Sequence, residues 1–335
     1  MARIRVHYGK PASMIRNLFS TILFLTGIAT ILQCSSGRVI AATGTPAISA
    51  QDTTPLANSL LWEISGNSLA TPSYLFGTIH IIDKDKFFLP EQALQAIDKS
   101  QRMTFEINME DMSDMSVMMS LVTKAMMNGG VKLSDLLSAE DYKVVEDYFN
   151  EKGLPIMMLE RIKPMFLTAF ASPDVEAGSM DDGSIKSYEF ELFDRAKEKN
   201  LEIGGLETVD YQLSLFDSIP YAEQAKMLVE SIQMNDEGSD QFNQMMDMYL
   251  KQDIESMHTM INDEGQGVGG YERMLVENRN RNWIPEMRKM MTDKPTFFAV
   301  GAGHLGGPHG VLRLLMQAGY TVKPLLKPLP QSQKM

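Results

Sequence analysis

One short pattern occurs twice in the chain, once near each end, and it constrains the fold more than any other feature. Tyr74–Phe76 and Phe297–Val300 are apolar runs, each followed by a glycine and, three residues after that glycine, by a histidine. Runs of this kind predict buried strands. A residue that directly follows a strand lies where open α/β sheets bind ligands. We therefore predict that His80 and His304 lie in two halves of one chain that meet at one site.

The segments around these two elements predict an α/β fold. The first element lies between a predicted hairpin and a predicted helix and strand, at 60–64, 73–78, 91–100 and 102–107. The second is followed by a helix and a last strand that ends at Pro324. We predict two related β-α-β modules that form a mixed sheet core, with a long helical insert between them at about 109–293. Within that insert, residues 201–207 predict one more short strand.

The first 50 residues have the composition of a targeting segment. Basic residues up to Arg16 precede an apolar run at about 18–32 and then small residues, which is the order of a secretory signal. The run is short for a stable membrane span. We predict an exported protein, periplasmic or extracellular, with cleavage near Ala41 or Ala50. A lipid anchor on Cys34, the only cysteine, and an uncleaved N-terminal anchor are open alternatives.

Charge and cysteine content exclude several classes of function. The first 50 residues contain five basic and no acidic side chains, so the remainder has 26 basic and 43 acidic side chains and a net charge of −17. Nucleic acids and anionic membranes attract basic surfaces, so neither is an expected partner except through an N-terminal anchor. Without cysteine after Cys34, thiol catalysis, thiolate metal sites and disulfides are excluded. Nothing in the sequence predicts the oligomeric state.

Two glutamates at strand ends could complete a site with the histidines. Glu106 lies between Phe105 and Ile107 in an otherwise apolar strand, and Glu207 ends the strand at 201–207. A buried carboxylate needs a partner, although Glu106 could also face solvent at the strand end. Imidazole and carboxylate are ligands of divalent transition metals. The candidate ligands are His80, His304, Glu106 and Glu207, and a glutamate that does not bind the metal could act as general base.

Other reaction classes lack their motifs. There is no His-Glu-x-x-His pair and no Gly-x-Ser-x-Gly nucleophile elbow. A dinucleotide fold is disfavoured because Gly301-Ala302-Gly303 has no acidic residue about 20 positions further on. His258 lies in a polar predicted helix, and we expect it on the surface.

Five short motifs occur in a fixed order along the chain. They are Leu75–His80, Phe105–Ile107, Gly204–Thr208 with Gln212, Glu277–Asn280 and Val300–Leu305. In this order the set resembles the TraB/GumN family, to which the Tiki metalloproteases are related. The resemblance covers residues 59–324, nearly all of the chain after the targeting segment.

The resemblance implies two related modules whose Gly-x-x-His pairs and glutamate face one cleft. It also implies metal-dependent peptide hydrolysis with manganese or cobalt, to which the ligand types add zinc. His80, His304 and Glu106 occupy the matching positions of metal ligands or general base, and Glu207 is a further matching position. Asn278 and Arg279 stand where the family keeps polar residues near the cleft, and we expect them to bind substrate or stabilise an oxyanion.

Three functions remain open at this point. The first is an exported metal-dependent hydrolase that acts on peptide bonds, formed by a domain at 56–326 between the segment at 1–50 and a tail at 327–335. The second is a non-catalytic protein that binds a peptide or another small ligand, such as haem, in the same cleft. The third is an adaptor whose helical insert contacts a partner protein.

Overall fold

The computed structural model describes residues 54–171, 184–233, 235–262 and 271–326. The predicted targeting segment at 1–50 and the predicted tail at 327–335 lie outside these ranges. The division of the chain into domains stays a prediction.

A six-stranded mixed sheet forms the centre of the protein and confirms the predicted α/β class. The strands are β1 Leu61–Gly66, β2 Ser73–Thr78, β3 Ile82–Asp83, β4 Arg102–Ile107, β5 Ile185–Lys186, β6 Glu202–Glu207, β7 Thr296–Gly301 and β8 Tyr320–Pro324. The sheet has the order β6-β4-β7-β2-β1-β8, and β3 pairs with β5 separately. Strands β6, β4, β7 and β2 are parallel. The predicted hairpin is confirmed, because β1 is antiparallel to β2, and β1 is also antiparallel to β8.

Helices surround the sheet in the described part of the chain. They are α1 Glu91–Asp98, α2 Met115–Ala125, α3 Leu133–Leu136, α4 Ala139–Glu151, α5 Ile156–Leu159, α6 Pro164–Ala171, α7 Tyr188–Glu198, α8 Val209–Leu215, α9 Tyr221–Gln233, α10 Asn235–Leu250, α11 Ile254–Asn262, α12 Asn278–Asp293 and α13 Val311–Gln317. A π-helical turn at Arg273–Glu277 leads directly into α12. Phe297 and Phe298 point to opposite faces of β7 and are both fully buried, so both faces of the sheet are covered.

The region predicted as a helical insert, at about 109–293, is not helical throughout. It contains β5, α7 and β6, and β6 is an edge strand of the main sheet, as the run at 201–207 predicted. Gly205 allows β6 to approach the end of β4 closely, since a Cβ atom there would lie 2.3 Å from the backbone nitrogen of Asn108. The helical part is therefore divided into two stretches, one on each side of β6 in the sequence.

The topology brings the predicted site residues to one edge of the sheet. The carboxyl ends of four parallel neighbouring strands lie at this edge. Glu207 is the last residue of β6, and Glu106 is the second-last residue of β4. His304 follows β7, and His80 follows β2. The two Gly-x-x-His turns also contact each other. A Cβ atom on Gly77 would lie 3.1 Å from Ala302 and from the side chain of Leu305, so the glycine is what lets the turns pack together.

Candidate functional site

Glu106 is a buried carboxylate with a partner on each oxygen. Its side chain is 8% exposed, and its Oε2 accepts hydrogen bonds from Arg279 Nη2 at 2.5 Å and Gln212 Nε2 at 3.3 Å. Its Oε1 accepts from the backbone N–H of Gly301 at 2.9 Å. The alternative of a solvent-facing glutamate is therefore wrong. Burial opposes ionisation, but Arg279, His304, His80 and the Gly301 N–H lower the pKa of Glu106 to about 2.

Arg279 connects the two predicted glutamates. Its Nε and Nη2 donate to Glu207, Nη2 also donates to Glu106, and Nη1 donates to the carbonyl oxygen of Leu275. Nη1 also lies 3.3 Å from His304 Nε2, so these partners account for all five N–H groups of the guanidinium. Burial lowers the pKa of Arg279, but the two carboxylates outweigh burial and raise it. Arg279 thus bridges Glu106 and Glu207 and fixes both carboxylates; its expected contact with a substrate stays a prediction.

Glu207 is held by three neighbouring side chains. Its Oε1 accepts from Arg279 and from Gln212 Nε2 at 3.0 Å, and its Oε2 accepts from Arg279 and from Trp283 Nε1 at 3.0 Å. A metal ion bound to Glu207 would have to replace one of these donors. The contacts therefore describe Glu207 as the second anion around Arg279, and its role as a metal ligand stays a prediction.

His304 has a defined tautomer. The Nδ2 of Asn280 donates to the carbonyl oxygens of His304 and His309, which leaves Asn280 Oδ1 to accept, at 2.7 Å, from His304 Nδ1. The Nδ1 of the ring therefore carries a proton and its Nε2 carries the lone pair, which lies 3.8 Å from Glu106 Oε1. Burial, Arg279 and His80 lower the pKa of His304 to about 3 against the effect of Glu106, so the ring is neutral.

His80 contacts a carboxylate that sequence reasoning missed. Its Nδ1 lies 3.1 Å from Oε1 of Glu189, in the first turn of α7. Burial lowers the pKa of His80, but the charge and the hydrogen bond of Glu189 outweigh burial and raise it. An acidic residue at the start of an amphipathic helix is common, so the sequence carried no signal for this contact.

Both histidines belong to one electrostatic cluster. The charges of Glu106 and Arg279 act on the pKa of His80, and His80 in turn acts on the pKa of Glu106 and of His304. Together with the contact between the two Gly-x-x-His turns, this puts His80 within electrostatic range of Glu106 and His304.

Asn278 has an exposed side chain, whereas Asn280, two residues further along α12, is buried beside His304. The expected role of Asn278 in binding substrate or stabilising an oxyanion stays a prediction. The expectation that His258 lies on the surface is wrong. It is only 9% exposed and packs on Gly306 and Gly307, where a Cβ atom on Gly307 would lie 1.9 Å from its Nε2.

The donor atoms of the cluster are of the kinds that hold a transition metal. In the part of the chain that the structure describes, no group of three or more His, Cys, Asp and Glu side chains is already arranged to hold one. The chemistry nevertheless fits, because Glu189 and Asn280 each bind the Nδ1 of a histidine, as outer partners of metal-binding histidines do. Glu106 Oε1 accepts from a single backbone N–H and has lone-pair capacity beside His304 Nε2. A metal bound to this Nε2 would have to replace the Nη1–H of Arg279, which lies 3.3 Å away.

Comparison with known proteins agrees with the resemblance seen in the motifs. A model of the TraB/PrgY/gumN family matches residues 60–324. The chain belongs to this family. No solved structure matches it.

Among curated proteins, this member of the TraB/PrgY/gumN family is similar to several metalloproteases. Metalloprotease TIKI2 of Danio rerio is 23% identical over 329 residues, which cover 82% of this chain and 63% of that protein. Metalloprotease TIKI1 of Homo sapiens is 23% identical, covering 79% of this chain and 62% of that protein. The Metalloprotease TIKI homolog of Nematostella vectensis is also 23% identical, over 81% and 68%. The chain thus spans about two thirds or less of the length of these relatives.

Proposed function

We propose that the protein is an exported metal-dependent hydrolase that cleaves peptide bonds. The observation that carries the proposal is the buried pair of Glu106 and His304 at the carboxyl edge of the parallel strands, with Glu106 Oε1 3.8 Å from His304 Nε2. The half-buried His80 belongs to the same electrostatic cluster. The names of the TIKI relatives support a metalloprotease activity. The basic, apolar and small-residue order of the first 50 residues supports export.

In this proposal His80, His304 and Glu106 hold a divalent transition metal, manganese, cobalt or zinc. A bound metal of this kind lowers the pKa of a water molecule and polarises a substrate carbonyl group. Asn280 keeps the lone pair of His304 on Nε2, and Arg279 keeps Glu106 ionised. Because Arg279 engages Oε2, Glu106 uses Oε1, either as a ligand or as the general base. The side chains of Arg279, Glu106 and His304 are 3%, 8% and 9% exposed, and burial strengthens the electrostatic interactions among them.

The described residues add one fact about membranes. None of the helices in the ranges from 54 to 326 that the structure describes is long and apolar enough to cross a bilayer.

Metal analysis of the purified full-length protein tests the proposal. We expect stoichiometric manganese, cobalt or zinc, a melting temperature that rises on metal addition, and cleavage of members of a peptide library. The His304→Ala variant should lose the metal and keep its helical circular dichroism. His309→Ala is the matched control, because this histidine belongs to the same loop but its Nε2 lies 3.8 Å from Glu277.

Three results are distinguished. If the protein holds no stoichiometric transition metal and none raises its melting temperature, the hydrolase proposal is wrong. Metal and peptide binding without any cleavage would favour the non-catalytic binding protein. A His304→Ala variant that retains metal with wild-type affinity would refute the ligand assignment.

A further inference from the structure

Glu189 is bound on both carboxylate oxygens by side chains from two different elements. Its Oε1 accepts from the hydroxyl of Thr78 at 2.8 Å and lies 3.1 Å from His80 Nδ1. Its Oε2 accepts from the hydroxyl of Ser187 at 3.0 Å. Glu189 is only 4% exposed, so this network lies in the interior. A carboxylate held by two hydroxyl groups cannot turn away from His80 without breaking both hydrogen bonds.

The hydroxyl group of Ser187 binds Glu189 instead of capping the helix. Ser187 is the N-cap residue of α7, but its hydroxyl makes no capping hydrogen bond and instead donates to Glu189. Serine at this position normally accepts from a backbone N–H of the first turn, which stabilises a helix by about 1 kcal/mol.

Packing fixes the start of α7 in the same place. Tyr188 is fully buried, and its ring packs against Phe76, Phe87 and Tyr249 at centroid distances of 5.8, 4.7 and 5.7 Å. Its hydroxyl donates to the carbonyl oxygen of Phe88 at 2.7 Å. The residue next to Glu189 is therefore anchored to the segment on either side of His80 in the sequence.

We propose that Glu189 is a positioning residue for His80. It accepts the Nδ1–H of the neutral ring, so that the lone pair lies on Nε2, and it fixes the plane of the imidazole at the site edge. The assignment of the tautomer does not depend on the proposed function. Its consequence does, namely that Nε2 is the nitrogen through which His80 would bind a metal. A carboxylate that binds the second nitrogen of a ligating histidine is a recurrent arrangement at metal sites.

Asn280 performs the corresponding task for His304. Its Oδ1 lies 2.7 Å from His304 Nδ1, and its amide nitrogen is bound by two carbonyl oxygens. The two histidines therefore have the same tautomer by different means, a carboxylate for His80 and an amide for His304. A carboxylate partner makes a histidine a stronger electron donor than an amide partner does. Replacing the carboxylate of Glu189 by an amide should therefore change how His80 binds a metal.

Nuclear magnetic resonance of the ring nitrogens of the full-length, metal-free protein at alkaline pH tests the proposal directly. In the wild type, His80 should carry its proton on Nδ1, with a downfield N–H signal from the hydrogen bond to Glu189. Glu189→Gln should move this signal upfield and weaken the binding of added Mn²⁺, Co²⁺ or Zn²⁺ by about 10- to 100-fold. Glu191→Gln is the matched control on the same helix, because Glu191 pairs with Lys186 instead, and it should change neither quantity.

The outcomes separate this inference from the proposed function. A wild-type His80 protonated on Nε2, or ring signals unchanged in Glu189→Gln, would overturn the inference. If Glu189→Gln does not fold, Glu189→Asp decides by the same signals, since it keeps the charge but is one methylene too short to reach His80. If the ring signals respond but the wild type binds no metal, Glu189 still positions His80 and the hydrolase proposal fails alone.

Discussion

Removal of the Arg279 charge should destabilise the protein more than removal of any nearby surface charge. Arg279→Met keeps the length of the side chain but leaves Glu106 and Glu207 without their shared cation in the interior. Loss of one partner of a buried ion pair typically costs about 3–5 kcal/mol of the free energy of unfolding. The pKa of Glu106 agrees in sign, because against the effect of burial Arg279 is the largest of the groups that lower it from 4.5 to about 2.

Urea denaturation at neutral pH, followed by circular dichroism, measures this loss. We expect Arg279→Met to lose about 3–5 kcal/mol, and Arg281→Met to lose about 0.5 kcal/mol or less. Arg281 is a suitable control because it lies on the same helix as Arg279, is 39% exposed and pairs with Glu277, four residues before it in the chain. If both variants lose equally little, the buried ion pair does not stabilise the fold as argued.

A triple variant tests the cause of the loss. Combining Arg279→Met with Glu106→Gln and Glu207→Gln removes the unpaired carboxylates together with the arginine. Because the cost arises mainly from charges left unpaired in the interior, the triple variant should recover most of the stability lost by Arg279→Met. A triple variant no more stable than Arg279→Met would refute this explanation and would point to lost packing of the arginine on Trp283, whose ring lies 5.0 Å from the guanidinium.

Two further predictions follow from the same region. The lowered pKa of Glu106 stabilises the protein above pH 4.5, and this contribution is lost as the pH falls towards 2. The difference in free energy of unfolding between wild type and Glu106→Gln should therefore shrink over that interval. Denaturation experiments at graded pH measure it. A difference that stays constant would mean that Glu106 titrates normally. Tyr249→Phe removes a hydroxyl that donates to the carbonyl oxygen of Gly77 at 3.1 Å, so it should cost about 1–3 kcal/mol and lower the melting temperature. An unchanged melting temperature would contradict this prediction.

The sequence predicts the sheet and its polar edge because their physical signals are local. Apolar runs such as Phe297–Val300 mark strands, and parallel strands place the residues that follow them at one edge. Helix orientation was not predictable in the same way. Residues 278–282 are all Arg or Asn, so no apolar residue marks the buried side of this turn, and Asn280 rather than Asn278 turned out to face the site. Glu189 was missed because its partner, His80, is 109 residues away in the chain.

The charges around the two histidines lead to a last prediction. Glu106, Glu207 and Glu189 are three buried carboxylates, and Arg279 and a protonated His80 compensate only two of them. An uncompensated buried charge is unfavourable, so the cluster favours an additional positive charge. A divalent cation that replaces the proton of His80 would supply it.

Metal binding should therefore release a proton. Because Glu189 raises the pKa of His80, the ring holds this proton more firmly than an ordinary histidine, and metal affinity should fall as the pH decreases below neutrality. Isothermal titration of the metal-free protein in buffers of different ionisation enthalpy measures the proton. Glu189→Gln should release fewer protons at the same pH, because without the carboxylate the His80 ring is less often protonated before the metal binds. Equal proton release in both proteins would show that His80 is not the group displaced, and the charge argument for the metal would then fail.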